Sequence, residues 1–455
     1  MEKALQLAEQ QQDRFFRQLI DLLRIPSISL DSEFHPAVLR AAEWNADRLR
    51  ALGATRVQVL PVGDQQAVLG EITGSKSAQT LLVYGHYDVM PADPIEAWSS
   101  EPFEPVVRDN YVYARGASDM KAQLVAFYSA VDCLQQANGV PLKLVFLLDG
   151  AEESGSDALD DFIRDQADRL ACDFCLNLDG NILGPDQPSL TYAVRGIAYF
   201  ELHVRGPERD LHSGKFGGPV DNPALVLCEV IGKMRDDHGR VSLPGFYDPV
   251  RPLSAEERAA LADLPTDEAW WKRSAGVRAL RREEDFTATE LATAQPTLNI
   301  NSLLAGHTGP GAKTVIPASA MAKISMRLVP DQTAAQVEAS LIEHLHTHMP
   351  DTVEWELREL PGIRPAIMDR EAPQVKAAAR ALRDTWGVEP LFVREGASVP
   401  INSQVAEFLG AGSINMGFGL PDDNFHAPDE RMNLTVFRRG IEAYIRYLQE
   451  LGRLG

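Results

Sequence analysis

The chain has 455 residues, 45% hydrophobic and 24% charged; this is the composition of a soluble globular protein, too long for one ordinary core, so two domains are expected. A formal net charge of −21 argues against nucleic acid or an anionic membrane as partner. No stretch reaches the roughly 18 uninterrupted apolar residues of a membrane span, and the polar start at Met1-Glu2-Lys3-Ala4 lacks the pattern of a secretory signal, so a cytoplasmic location is expected.

Residues 4 to 24 read as one amphipathic helix with Leu5, Phe15, Phe16, Leu19, Leu22 and Leu23 on its apolar face, ended by Ile25-Pro26. A second helix spans 36 to 52 and stops at Gly53. Leu81 to Tyr84 is a buried strand, followed by a helix at 120 to 136, a strand at 142 to 148, a short helix at 157 to 169 and a strand from Phe174 to Leu178. Such alternation is the signature of a helix-flanked, largely parallel sheet. Cys172 and Cys175 have the spacing of a redox motif but lead into a buried strand, so two packed free thiols are expected; with Cys133 and Cys228 they make no disulfide framework.

From about 192 the pattern changes. Tyr199 to Val204 and Met321 to Val329 alternate apolar and polar residues, as strands with one buried face do. Helices are expected at 222 to 236 and 333 to 348, which together predict a small α+β domain inserted into the first. The mixed segment 240 to 295, with Trp270-Trp271, reads as an excursion of that insertion. Helix–strand alternation resumes with a helix at 374 to 386, strands at Leu391 to Arg394 and Ser413 to Met416, and a final helix at 433 to 452. The boundaries expected are 1–191 and 364–455 for an α/β domain in two parts, and 192–363 for the insertion.

Five places put histidine or carboxylate side chains in loops after apolar strands or turns: His86 with Asp88, Asp119, Glu152-Glu153, Asp179 and His426. In open α/β sheets active sites lie just beyond the carboxyl ends of strands. Any one of the five reads equally as a helix cap or a plain turn. Converging at one edge, they suit a pair of metal ions, since imidazole with carboxylate matches zinc or manganese. His344, His346 and His348 fall at spacing two on a helix, are expected not to share a face, and are set aside as ligands.

In this order the motifs resemble the dinuclear zinc exopeptidases that include carnosinases, bacterial dipeptidases, acetylornithine deacetylase and succinyl-diaminopimelate desuccinylase. The carnosinase-type dipeptidase branch is the nearest, through Ala193-Val194-Arg195-Gly196, Asp210-Leu211-His212-Ser213-Gly214, Phe216-Gly217-Gly218, Gly311-Ala312-Lys313-Thr314-Val315-Ile316-Pro317 and Arg394-Glu395-Gly396-Ala397-Ser398-Val399-Pro400. The resemblance runs from Ile25 to Asn433. It implies two divalent metal ions per chain, zinc first, with manganese or cobalt as options. Asp119 would bridge them, His86 and Asp179 completing one site and Glu153 and His426 the other. Asp88 would orient His86, and Glu152 would act as general base. The inserted domain would be a lid and a homodimerisation surface, presenting His212 to the partner's active site to stabilise the oxyanion. Arg327 would pair with a substrate carboxylate, with Thr314, Asn301 and Ser398 as further substrate contacts. The pattern departs from its relatives at Ala427-Pro428-Asp429, where serine and asparagine are commoner, and after Lys121, where glycine is commoner. The function expected is hydrolysis of dipeptides or short peptides with a free carboxylate. The alternatives are an N-acyl amino acid deacylase with the same metal chemistry and an inactive metal-binding scaffold.

Overall fold

The strand Thr80–His86 is buried at every position from Leu81 onward, as an apolar run covered on both faces must be. It lies at the centre of a sheet whose strands run in the order Thr55–Val62, Gln65–Ile72, Lys143–Asp149, Thr80–His86, Phe174–Asn177, Gly412–Asn415 and Ser189–Val194. The four middle strands pair in parallel; the pairings outside them are antiparallel. These positions come from a computed structural model that describes every residue except 76–78, 156, 282, 284 and 455.

The chain divides into two compact units. One comprises Met1–Tyr192, Met368–Val393 and Gln404–Gly455, the other Ala193–Ile367 and Arg394–Ser403. In the first, the helices His35–Ala51, Ala122–Ala137, Pro373–Trp386 and Leu434–Leu451 share one core with the sheet. Ala122–Ala137 is buried nearly all round, as its apolar sequence requires. Its Phe127 ring meets Phe146 of the sheet and Tyr444 of the last helix edge-on, at centroid distances of 6.1 and 5.2 Å; burying such a ring contributes roughly 1.5–3 kcal/mol. The last helix starts where Asn433 accepts the backbone N–H groups of Thr435 and Val436, satisfying donors that have no partner inside a helix.

The second unit is built on a four-stranded antiparallel sheet in the order Thr297–Ala305, Ser319–Leu328, Gly196–Arg205, Glu354–Ile363. Ala198, Phe200, Leu202 and Val204 alternate onto its buried face and share a core with Val226, Leu227 and Val230 of helix Pro223–Gly232 and Val337, Leu341 and Leu345 of helix Ala334–His348. The segment with Trp270-Trp271 forms short helices, Ala255–Ala262, Glu268–Ala275 and Ala288–Thr293.

Three expectations need correction. The short helix at 157 to 169 is two, Asp157–Asp165 and Ala167–Leu170, interrupted at Gln166. The first helix is two helices, Glu2–Gln10 and Gln12–Leu23, interrupted where Gln11 leaves helical geometry. His344 and His348 do share a face: they lie one turn apart, with ring centroids 4.5 Å from each other. Buried His344 is satisfied by the carbonyl of Val230 at 3.1 Å, and the trio is absent from the possible metal-holding clusters among the described residues.

Candidate metal centre

Five segments of the first unit, those carrying His86, Asp119, Glu152-Glu153, Asp179 and His426, bring the charged side chains together. The His86 strand needs glycine just before its end: a Cβ on Gly85 would lie 2.8 Å from Leu124 Cδ2 and 2.9 Å from Met120 Cε. His86 Nε2 then sits 3.1 Å from Asp119 Oδ1, while the other oxygen of Asp119 is 3.0 Å from His426 Nε2. Glu153 Oε2 is 3.2 Å from the same His426 nitrogen. Two donor sets result, His86–Asp119–Asp179 and Asp119–Glu153–His426, each with its ligand atoms within 4.8 Å of one another. Asp119 belongs to both; Glu152 belongs to neither. His426 holds its place with φ of 56°, a left-handed conformation uncommon outside glycine and kept only where surrounding contacts enforce it.

Asp88 ties these parts together from beneath. Its backbone carbonyl is 3.2 Å and its carboxylate 3.4 Å from His86 Nδ1, which leaves Nε2 for a metal. The same carboxylate accepts Ser29 Oγ at 2.6 Å and the backbone N–H groups of Glu152 and Glu153 at 3.3 and 3.0 Å. The loop carrying both glutamates is thereby anchored to the loop after the His86 strand.

Burial and mutual repulsion set the protonation of the acids. Burial, with the charge of Asp119, pushes Asp179 up to about 7. Burial also holds Glu152 well above the usual carboxyl range, against the opposing effect of His86 and reinforced by Asp179 and Glu153. Asp119 is the exception: burial works against its charge, but contacts with His426 and His86 hold it below the ordinary value. Positive charge among these carboxylates acts on all of them in the direction of ionisation. Imidazole nitrogen and carboxylate oxygen in two sets sharing one aspartate is a donor chemistry that fits two divalent cations.

Several residues around the centre were not legible as participants. Glu430 accepts Arg115 Nη1 at 2.7 Å and the backbone N–H groups of Gly116, Ser118 and Asp119 at 2.9, 2.9 and 3.0 Å. Asp423 accepts Ser118 Oγ at 2.7 Å and the Leu420 N–H at 2.8 Å, and its other oxygen is buried without a hydrogen-bond partner. Both carboxylates flank His426 in sequence, which was the available signal.

The remaining expected residues lie in the second unit. His212 is exposed on strand Leu211–His212, and its Nδ1 accepts the Gly214 N–H at 3.0 Å, so the neutral ring carries its proton on Nε2. Exposed Thr314 is beside it, its carbonyl accepting the Ser213 N–H at 3.1 Å. Arg327 and Ser398 meet directly, Nη1 to Oγ at 2.8 Å. Asn301 is exposed at a register shift in strand Thr297–Ala305, on the strand whose Thr297 faces Arg327.

A family model described as Peptidase family M20/M25/M40 matches residues 82–450. The Cys-Gly metallodipeptidase DUG1 of Candida albicans is 30% identical over 467 residues, covering 98% of this chain and 96% of the relative. The crystal structure of human carnosine dipeptidase 1 superposes with a TM-score of 0.82 at 29% identity, covering 99% of this chain and 98% of that one. A metallo-carboxypeptidase of Sulfolobus solfataricus, Sso-CP2, gives 0.87 at 29% identity, with 97% and 99% covered.

Proposed function

The chain belongs to peptidase family M20/M25/M40, and from that premise we propose how it works as a metal-dependent dipeptidase. The observation that carries the proposal is the double donor set on Asp119. We assign Asp119 as the bridging ligand, His86 and Asp179 to one cation, Glu153 and His426 to the other, and zinc as the metal, with manganese and cobalt compatible with the same donors. Held there, divalent cations would supply Lewis-acid activation of water and of the scissile carbonyl. Glu152, held beside the donors but outside both sets, takes the proton from the attacking water and returns it to the leaving amine.

His212 we assign to the oxyanion, because its ring is held with Nε2–H as the free donor. A partner subunit supplies it in our reading. The support is an edge strand, Thr297–Ala305, on which Leu303 and Leu304 are 53% and 54% exposed, an apolar edge of the kind that pairs with a second copy. Arg327, braced by Ser398, is assigned to the free carboxylate of the substrate, with Thr314 and Asn301 as further contacts. A cytosolic location fits four cysteines that all stand as free thiols. That similar proteins are named Cys-Gly metallodipeptidase and Beta-Ala-His dipeptidase supports a peptide rather than an N-acyl substrate for this chain.

The test is a dipeptide compared with its C-terminal amide. Loss of a charge-assisted pair costs about 1.5–3 kcal/mol, so kcat/KM should fall roughly 10- to 100-fold for the amide. In Arg327→Ala the two substrates should become nearly equal. Equal rates on both in the wild type would remove the carboxylate from the account.

A further inference from the structure

The loop Gly116–Asp119 and the loop around His426 are some 300 residues apart in the chain, yet each must place one ligand within the same few ångströms. Side chains joining them come from either side of His426. Asp423, three residues before it, accepts Ser118 Oγ at 2.7 Å. Glu430, four residues after it, accepts the N–H groups of Gly116, Ser118 and Asp119 and the Arg115 guanidinium, all between 2.7 and 3.0 Å. Glu430 is 1% exposed, and its own carbonyl takes the Ala114 N–H at 3.1 Å.

We propose that Glu430 is a positioning residue of the metal centre: its carboxylate clamps the Asp119 loop to the His426 loop and thereby sets the affinity of the site for divalent cations. The proposal rests on the reading of the two donor sets as a metal centre. A carboxylate suits the task because both of its oxygens accept, with room for all four donors. Four charge-assisted bonds converging on one buried group fix the direction of the Asp119 backbone, and with it both oxygens of its side chain. Glutamine has the same shape but one accepting oxygen, and its amide N–H groups would face donors. Partners that orient metal ligands in this way typically govern affinity by 10- to 100-fold.

The experiment compares wild type, Glu430→Gln and Arg115→Lys for zinc affinity, by competition with a chromophoric chelator, and for dipeptide kinetics at saturating zinc. Glu430→Gln should bind zinc about 10- to 100-fold more weakly and, once loaded, show a lower kcat with KM within about twofold of wild type. Arg115→Lys keeps the three amide contacts and loses the Nη1 bond to Glu430 together with the Nη2 bond to the Pro91 carbonyl, so it should weaken zinc binding about threefold or more; it carries the test if Glu430→Gln does not fold. Unchanged zinc affinity in a folded variant, even with a lowered Tm of the metal-free protein, would reduce Glu430 to a structural role and overturn the proposal. A wild type that binds no zinc would instead overturn the metal centre itself.

Discussion

Glu152 and Glu153 are adjacent in sequence and separated by what surrounds them. Glu153 reaches His426 and belongs to a donor set; Glu152 does not. Glu152→Gln should therefore keep its metal content while hydrolysis falls at least about 100-fold, in line with the loss of a general base; metal analysis beside a dipeptide assay checks both halves. Asp423 carries a different prediction. Burial pushes its carboxyl up to about 7 from an ordinary 3.8. Between these values the folded state binds a proton that the unfolded state has released, so the contribution of Asp423 to stability is full below about pH 4 and is lost as pH rises toward 7, by at most about 4 kcal/mol. Asp423→Asn imitates the protonated form, and thermal melts of the metal-free protein between pH 5 and 8 should show a shallower decline than wild type; an identical slope would contradict the assignment. At this scale the sequence was informative wherever a donor follows an apolar run, as at His86, Glu153 and Asp179. For Glu430 it offered only nearness to His426, because a carboxylate that accepts backbone amides far away in the chain leaves no periodicity to show what it binds.

At the scale of elements, legibility followed burial and capping. The strand before His86 and the strand Lys143–Asp149 are continuous apolar runs, and the helix Leu434–Leu451 begins at a capping asparagine, so each stood out. The strands Thr55–Val62 and Glu354–Ile363 are largely solvent-facing edges; their inward alternation is short, Val57 with Val59 and Trp355 with Leu357, too brief to stand out in the sequence. Proline and glycine at 361 and 362, where the register slips, hid the second of them further. The break at Gln11 was equally silent, because glutamine is a good helix former and the interruption is a local change of backbone angle. His344 and His348 meet because two spacings of two add up to four residues, about one helical turn, although neighbouring members of the trio face apart.

In the whole molecule, one unit gathers the donors and the other carries His212, Arg327 and the apolar edge strand. If His212 acts across a dimer, His212→Ala lowers turnover with metal retained, and mixing it with Glu152→Gln restores part of the activity, since each mixed dimer holds one intact combination. Absence of recovery in verified mixed dimers would place His212 within its own chain. The measurement closest to the central claim is metal content of the purified protein, followed by dipeptide hydrolysis before chelation, after chelation and after zinc is restored. The account predicts two metal ions per chain, with activity that disappears and returns. A protein that takes up no metal under any loading, or that cleaves dipeptides undiminished after chelation, would contradict it.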